Sequence, residues 1–249
     1  MTTIPTKQQL SLADESMKLC LTYVSFVYFA ESPNKQGSRI HANGTCSFVD
    51  TGTSKFAITN HHVIEGFRTK QLQFPELNFQ IGSEIIDIEN RIISESEYHD
   101  LVTFRITDEE MAKFGKTFCF CRDWPPLDAV NDEAIFFAGY PGEFRTQLSP
   151  NEVEFQSILM TEVVKSSSPD KFTIVFDKSN WMKLDGPREV SELTHYGGLS
   201  GTAIFRLNEK YPIHTLEPIG IIYEGGNVLN IQLVKHISFI NKDGVIKQS

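Results

Sequence analysis

The sequence predicts an all-β protein, because short apolar or alternating runs recur between turn residues and helical periodicity is scarce. Such runs in the first half of the chain cover residues 21–29, 44–49, 55–59, 71–74, 84–88 and 101–106. Those in the second half cover residues 134–138, 153–164, 172–176, 203–207, 218–223 and 228–233. A chain of 249 residues built in this way forms one large all-β unit or two small barrels that share a cleft.

A proline-rich segment near the middle of the chain predicts a boundary between two units. Trp124, Pro125 and Pro126 cannot continue a central strand, because proline lacks the backbone N–H that a strand ladder needs. The predicted organisation is a polar N-terminal segment with a short helix (1–18), a first β-barrel (19–118), a linker (119–130) and a second β-barrel (131–249).

Short helices are predicted between some of the strands. Ser11 has the position of an N-cap for the N-terminal helix. Residues 62–66 fit one helical turn closed by Gly66, which leaves His62 at a strand end. Residues 108–113, followed by Gly115, predict another short helix, and residues 236–240 predict a terminal helix or strand.

The charge balance argues against nucleic acid and an anionic membrane as partners. The chain has 23 Lys and Arg against 32 Asp and Glu, a net charge of -9, and both of those partners attract basic proteins. The longest apolar stretch near the N terminus, residues 19–30, is interrupted by polar residues and follows an acidic start with Asp14 and Glu15. This pattern fits neither a signal peptide nor a transmembrane span.

The four cysteines predict structural thiols and no metal centre. Cys119 and Cys121 have a single residue between them, and no second Cys/His pair lies nearby at metal-ligand spacing. His61, His62 and Glu65 do not form the His-Glu-x-x-His zinc pattern. We therefore expect no metal and no other cofactor.

Three segments supply groups for nucleophilic catalysis in the chain order His62, Asp100, Ser200. A serine hydroxyl is a poor nucleophile at neutral pH, so Ser200 needs a base such as His62, whose tautomer Asp100 would hold. The α/β-hydrolases have the order Ser, Asp, His and a Gly-x-Ser-x-Gly motif, which Thr202 interrupts here. Each segment alone has a simpler explanation, such as a glycine turn or a strand-start aspartate. Their conjunction in this order favours a hydrolytic site.

These segments resemble the motif blocks of trypsin-like (chymotrypsin-fold) serine peptidases, of the intracellular or stress-protease-like bacterial kind rather than the secreted digestive kind. Residues 56–63 form an apolar run that ends in Thr-x-x-His, and residues 100–104 form an aspartate followed by an apolar run. Residues 198–201 form the Gly-x-Ser-Gly motif, and residues 218–222 resemble the strand that lines the substrate cleft. The resemblance implies two six-stranded antiparallel β-barrels with the active site in the cleft between them.

The resemblance also implies roles for individual residues. His62, Asp100 and Ser200 would form the catalytic triad, with His62 rather than His61 as the base. The backbone N–H groups of Gly198 and Ser200 would form the oxyanion hole, which stabilises the negative charge of the tetrahedral intermediate.

Four more residues are implied to bind substrate, namely Thr194, His195, Tyr223 and Gly225. Thr194 corresponds to the base of the primary specificity pocket, and since it is not acidic, a Lys or Arg preference is disfavoured. His195 would pair with an acidic side chain, and Gly225, after Tyr223, would leave room at the pocket mouth. Leu199 stands where trypsin-like zymogens carry an acidic residue, so activation by a freshly cut N terminus is not expected. The enzyme would be competent as made or switched by an activating partner.

The predicted function is therefore a serine endopeptidase that hydrolyses peptide bonds through an acyl-enzyme. Its partners would be protein or peptide substrates, specific intracellular proteins above all. Val63 stands where secreted relatives commonly carry a disulfide cysteine, so the resemblance implies a reduced, cytoplasmic protein. The alternative is a catalytically idle module on the same fold that binds peptides without cleaving them.

Overall fold

The computed structural model describes residues 7–31, 40–149, 152–183, 189, 192–210, 215–226 and 230–248. Strands account for 45% of the structure and helices for 20%. The chain contains one closed six-stranded barrel and one curled half-barrel sheet. The predicted mostly-β architecture is confirmed, whereas only one of the two sheets is a closed barrel.

The first sheet is the curled half-barrel, and its strands come from the first half of the chain. Within the described residues they are β1 (Val24–Ala30), β2 (Ile40–Asp50), β3 (Lys55–Thr59), β4 (Asn78–Ile81), β5 (Glu84–Ile85), β6 (Ile92–Ser96), β7 (Leu101–Phe104) and β8 (Cys119–Phe120). Their spatial order is β5-β4-β1-β2-β3-β7-β6, with all of these neighbours antiparallel, and β8 adds to β2 in parallel. The predicted linker 119–130 therefore begins with a strand of this sheet.

The second sheet closes on itself. Strands of the second half, as far as the structure describes it, are β9 (Ala134–Gly139), β10 (Arg145–Ser149), β11 (Glu152–Phe155), β12 (Ile158–Ser167), β13 (Lys171–Val175), β14 (Trp181–Lys183), β15 (Ala203–Asn208), β16 (Thr215–Gly226) and β17 (Ile231–His236). Strand β12 pairs with both β9 and β13, which completes the ring β13-β17-β16-β15-β9-β12. Strand β14 adds to β12, and β10 and β11 form a separate hairpin.

Three α-helices accompany the sheets in the described ranges, namely α1 (Lys7–Thr22), α2 (His61–Gln73) and α3 (Asp108–Phe114). Helix α1 continues past the predicted segment 1–18, so β1 begins at Val24 rather than at residue 21. Helix α3 is confirmed, with a capping box at Thr107 and a left-handed Gly115 at its C terminus. No helix in the described part of the chain is long and apolar enough to cross a membrane.

The prediction of a single helical turn at residues 62–66 is wrong. Helix α2 passes through Gly66 and runs for 13 residues, so the predicted strand at 71–74 is also wrong. Val63, Ile64 and Phe67 explain the length, because their helical spacing places all three on the face that packs into the core. His62 therefore lies in the first turn of a helix, after the N-cap residue Asn60.

One hydrophobic cluster joins the two sheets and α1. It contains Met17 and Cys20 from α1, Phe56 from the first sheet and Phe205 from the second. All four cysteines are buried and unpaired. Because this cluster is shared, the two sheets and the N-terminal helix stabilise one another by burial of apolar surface.

Lys116 is a partly buried cation between α1 and the second sheet. Its Nζ donates to the Leu21 carbonyl at 2.8 Å and to the Tyr140 hydroxyl at 3.1 Å. Burial lowers the pKa of Lys116 from 10.5 to about 8, because the charged form loses hydration. The unfolded chain therefore binds more protons than the folded protein between these two pH values.

We predict that the stability of the protein relative to the Lys116→Met variant rises between about pH 8 and pH 10.5. The expected gain is at most about 3 kcal/mol in the free energy of unfolding. Urea unfolding of both chains at several pH values measures it, since other ionisations are common to both and cancel in the difference. Lys113→Met, which removes an exposed lysine of α3, is the control. The difference in stability between the wild-type chain and this variant should not change with pH. A difference that falls with rising pH would contradict the prediction.

Candidate functional site

His62 and Asp100 form a hydrogen-bonded pair at the edge of the first sheet. His62 is the second residue of α2, and Asp100 immediately precedes β7. The Nδ1 atom of His62 lies 2.7 Å from Asp100 Oδ2, and the His62 backbone N–H donates to Asp100 Oδ1 at 2.9 Å. The imidazole is 49% exposed and the carboxylate 20% exposed, so the pair opens to solvent on its imidazole side.

The Asp100 carboxylate selects one tautomer of the imidazole. A carboxylate accepts hydrogen bonds, so the shared proton belongs to His62 Nδ1, and Nε2 of the neutral ring is then an acceptor. Asp100 has left-handed backbone, with φ 53°, which aspartate tolerates better than most residues. The buried Asn60 side chain donates to the Asp100 carbonyl at 2.8 Å and fixes this turn. His62 is thus oriented to take up a proton at Nε2.

Ser200 lies in a turn that is hydrogen-bonded to β2 of the first sheet. The Thr45 N–H donates to the Ser200 carbonyl at 2.8 Å, and the Thr45 hydroxyl donates to the Gly198 carbonyl at 2.8 Å. The Ser47 hydroxyl donates to the Gly201 carbonyl at 2.9 Å. We name these bonds between β2 and residues 198–203 the β2 seam. Since Thr45 and Ser47 are fully buried, the seam fixes the Ser200 turn against the first sheet without competition from water.

Gly44 brings the Ser200 turn close to the start of α2. A Cβ atom on Gly44 would lie 3.2 Å from Val63 Cγ2 and 3.5 Å from the Ser200 carbonyl oxygen. Val63 follows His62, so the start of α2 and the Ser200 turn approach the same glycine. Among the described residues, the Ser200 hydroxyl and the His62 ring form no hydrogen bond with each other. Such bonds in catalytic sites often form only when substrate is bound.

The turn before Ser200 carries two unpaired backbone donors. Within the part of the chain that the structure describes, neither the Gly198 N–H nor the Ser200 N–H has a hydrogen-bond acceptor. Gly198 has φ 96°, and a Cβ there would lie 2.6 Å from both the Gly142 nitrogen and the Tyr140 carbonyl oxygen. Only glycine fits this close approach. Unpaired donors of this kind can stabilise an oxyanion.

Thr194 and His195 are exposed and are held by a residue that the sequence did not single out. The Thr194 N–H and hydroxyl donate to the Glu143 carboxylate at 2.7 and 2.8 Å, and the His195 N–H donates to it at 2.9 Å. Glu143 belongs to a 3-10 helix, Gly142–Phe144. The carboxylate therefore fixes the segment that leads to Gly198 and Ser200.

Tyr223 lies within electrostatic reach of Asp100. Burial raises the pKa of Tyr223 to about 12, and the negative charges of Glu224, Asp170 and Asp100 act in the same direction. The Lys235 ammonium lies 5.4 Å from the centre of the Tyr223 ring.

The room expected beside Gly225 is occupied. Gly225 pairs with Gln232 of β17, and a Cβ on Gly225 would lie 2.8 Å from Gln232 Nε2. Gln232 is 1% exposed, and its Nε2 has no hydrogen-bond partner among the described residues. An amide therefore borders Gly225 on the side where a Cβ would lie.

Sequence reasoning missed Glu143, Gln232 and Asn60 for one reason. Each acts on a residue far away in the chain or across a strand pair. Glu143 and Gln232 belong to no motif, and Asn60 occupies an unspecified position within the Thr-x-x-His block. Asn60 had the best signal, since it lies between β3 and α2 where a polar cap is common, yet its side chain bonds to Asp100 rather than to the helix.

No group of three or more His, Cys, Asp or Glu side chains is placed to hold a metal ion in the described ranges. A scan against protein-family models and a search of curated proteins both find no match for this chain. The geometry of the residues above is therefore the basis for a functional assignment.

Gly201 offers a test of the geometry around Ser200. Its φ is 90°, and a Cβ there would lie 2.7 Å from the Thr59 hydroxyl and collide with the Thr45 carbonyl. We predict that Gly201→Ala lowers the free energy of unfolding by about 3 kcal/mol, through left-handed strain and overpacking.

Gly197→Ala is the matched control, because a Cβ on Gly197 would have no atom within 4 Å. It should change the free energy of unfolding by less than about 0.5 kcal/mol. Thermal and urea unfolding compare the two variants. Equal stabilities would show that the turn at 198–203 does not have this conformation.

Proposed function

We propose that this protein is a trypsin-like serine endopeptidase. The observation that carries the proposal is the His62–Asp100 pair, whose carboxylate leaves His62 Nε2 as a proton acceptor next to the Ser200 turn. The closed barrel and the half-barrel sheet correspond in this proposal to the two barrels of a chymotrypsin-type fold. The active site would lie in the cleft between them.

The proposed reaction proceeds through an acyl-enzyme. Ser200 Oγ attacks the carbonyl carbon of the scissile peptide bond while its proton passes to His62 Nε2. The N–H groups of Gly198 and Ser200 donate to the resulting oxyanion, and Asp100 stabilises the imidazolium. The C–N bond then breaks as His62 returns the proton to the leaving nitrogen. Water, deprotonated by His62, hydrolyses the ester and restores Ser200.

A cytoplasmic location and protein substrates complete the proposal. The four buried, unpaired cysteines support a reducing compartment. The net charge of -9 supports neither nucleic acid nor an anionic membrane as a partner. A peptidase in the cytoplasm requires selectivity, so we propose one or a few specific protein substrates and a possible activating partner.

The alternative is a peptide-binding module that does not cleave. The observation that favours it is the missing hydrogen bond between the Ser200 hydroxyl and the His62 ring among the described residues. In this alternative the cleft binds an extended peptide, and Ser200 stays unmodified.

A fluorophosphonate probe tests the proposal, because it phosphonylates a serine only when that serine is activated. We predict labelling of the full-length chain at Ser200, located by mass spectrometry, and its loss in Ser200→Ala. His62→Ala should reduce the labelling rate on the order of a thousandfold or more, since serine and histidine act as a unit. His61→Ala is the matched control and should keep the rate. An unlabelled chain would favour the binding module, and labelling that depends on His61 would overturn the triad.

Cleavage specificity gives a second test. We predict that the full-length chain, with its N terminus uncut, does not favour Lys or Arg at the cleaved position. Thr194 and Gln232 are uncharged, and the neighbouring Glu143 carboxylate is already engaged by three hydrogen bonds from Thr194 and His195. Small, apolar or acidic side chains are expected instead. Mass spectrometry of a mixed peptide library reads out the preference. Predominant cleavage after Lys or Arg would contradict the pocket assignment, and activity only after N-terminal trimming would contradict the absence of zymogen activation.

A further inference from the structure

The Glu143 side chain joins two loops near the candidate site. Its carboxylate accepts three hydrogen bonds, from the Thr194 N–H, the Thr194 hydroxyl and the His195 N–H. The partners lie 51 and 52 residues further along the chain. These bonds therefore join two loops and do not merely cap a local turn.

Glu143 itself is held in place. Phe144, the next residue, is 1% exposed and packs in the core of the closed barrel. On the other side, the Gly142 N–H donates to the Gly197 carbonyl at 2.7 Å. The short helix Gly142–Phe144 thus contacts the segment 194–198 through Gly142 and Glu143. Phe144 anchors the helix in the core.

The carboxylate stays ionised in this position. Burial alone would raise the pKa of Glu143, but the hydrogen bonds from the His195 and Thr194 backbone and from the Thr194 hydroxyl lower it, as does the neighbouring His195. Hydrogen bonds to an ionised acceptor are shorter and stronger than those between neutral groups. The three bonds therefore restrict the segment that ends in the Gly198 and Ser200 donors.

The residue before Ser200 carries no charge that could hold the turn by an ion pair. Leu199 is fully buried and apolar, so the turn has no side-chain charge of its own to fix it by an ion pair. Glu143 supplies a negative charge from a different loop. This charge is present in the chain as synthesised and needs no cut N terminus.

We propose that Glu143 is a positioning residue that holds the candidate oxyanion turn in its competent conformation. The proposal rests on the peptidase function argued above and deepens it, because it explains how this site is ordered without N-terminal processing. Glu143 touches neither Ser200 nor His62, so it acts through Thr194 and His195.

Two measurements on the full-length chain test this role. The first is the second-order rate of fluorophosphonate labelling at Ser200, compared between the wild-type chain and Glu143→Gln. We expect a fall of about tenfold or more, since loss of one oxyanion donor costs on the order of a hundredfold in kcat. Glu143→Asp keeps the charge and should recover part of the rate. The second is amide hydrogen exchange of the peptide that covers residues 194–201, which should become about tenfold faster in Glu143→Gln.

Asp50→Asn is the control for loss of a turn carboxylate. Asp50 accepts the Gly52 N–H at 2.8 Å and lies five residues beyond Thr45, on the order of 16 Å along β2. The Asp50→Asn substitution should change neither the labelling rate at Ser200 nor the amide exchange rate of residues 194–201. Thermal unfolding of every variant shows that labelling is compared between folded chains.

The outcomes separate the two proposals. Unchanged labelling and unchanged exchange in Glu143→Gln overturn the role of Glu143. Slower labelling with unchanged exchange overturns the positioning mechanism. A wild-type chain that is not labelled, with faster exchange in Glu143→Gln, overturns the peptidase function but supports the ordering of this turn by Glu143.

Discussion

The β2 seam is the interaction on which the candidate site depends. It connects Thr45 and Ser47 of the first sheet to the turn that carries Ser200 in the second. The seam continues beyond the turn, because the Ala203 N–H donates to the Ser47 hydroxyl at 2.8 Å. Each such bond contributes about 1 kcal/mol net, but a buried partner left unpaired costs about 1–3 kcal/mol. The two sheets are therefore fixed relative to each other at this point, and the start of α2 lies close to the Ser200 turn.

The seam divides the backbone of the turn into two parts with different chemistry. The carbonyls of Gly198, Ser200 and Gly201 accept hydrogen bonds from β2 and therefore hold the turn in place. The N–H groups of Gly198 and Ser200 have no acceptor in the described ranges. A turn fixed through its carbonyls can keep its donors for a ligand. The left-handed glycines 198 and 201 allow this arrangement, since each carries a positive φ where a side chain would collide with backbone.

The sequence predicted the mostly-β fold and paired His62 with Asp100, because both depend on local pattern and chain order. It failed where distant contacts decide. Helix α2 extends past Gly66 because Val63, Ile64 and Phe67 pack into the core. The glycine in the sequence gives no information about this packing. The closure of only one barrel depends on which strands pair at the ends, such as β12 with β13. The carboxylate of Glu143 and the amide of Gln232 reach the site across loops and strands, so no motif marked them.

Two carboxylates, one near each sheet, hold the groups of the candidate site in place. Asp100 orients the imidazole from the first sheet, while Glu143 fixes the segment before Ser200 from the second. Each carboxylate holds its partners through backbone N–H groups as well as side chains, so each fixes both conformation and charge. Neither requires a terminus or a cofactor to be supplied. The elements that carry His62 and Ser200 are thus both held by hydrogen bonds, although the described side chains of these two residues form none with each other. Under the proposed function, an extended peptide would bind to elements that are already ordered, which costs less conformational entropy than the ordering of a whole segment.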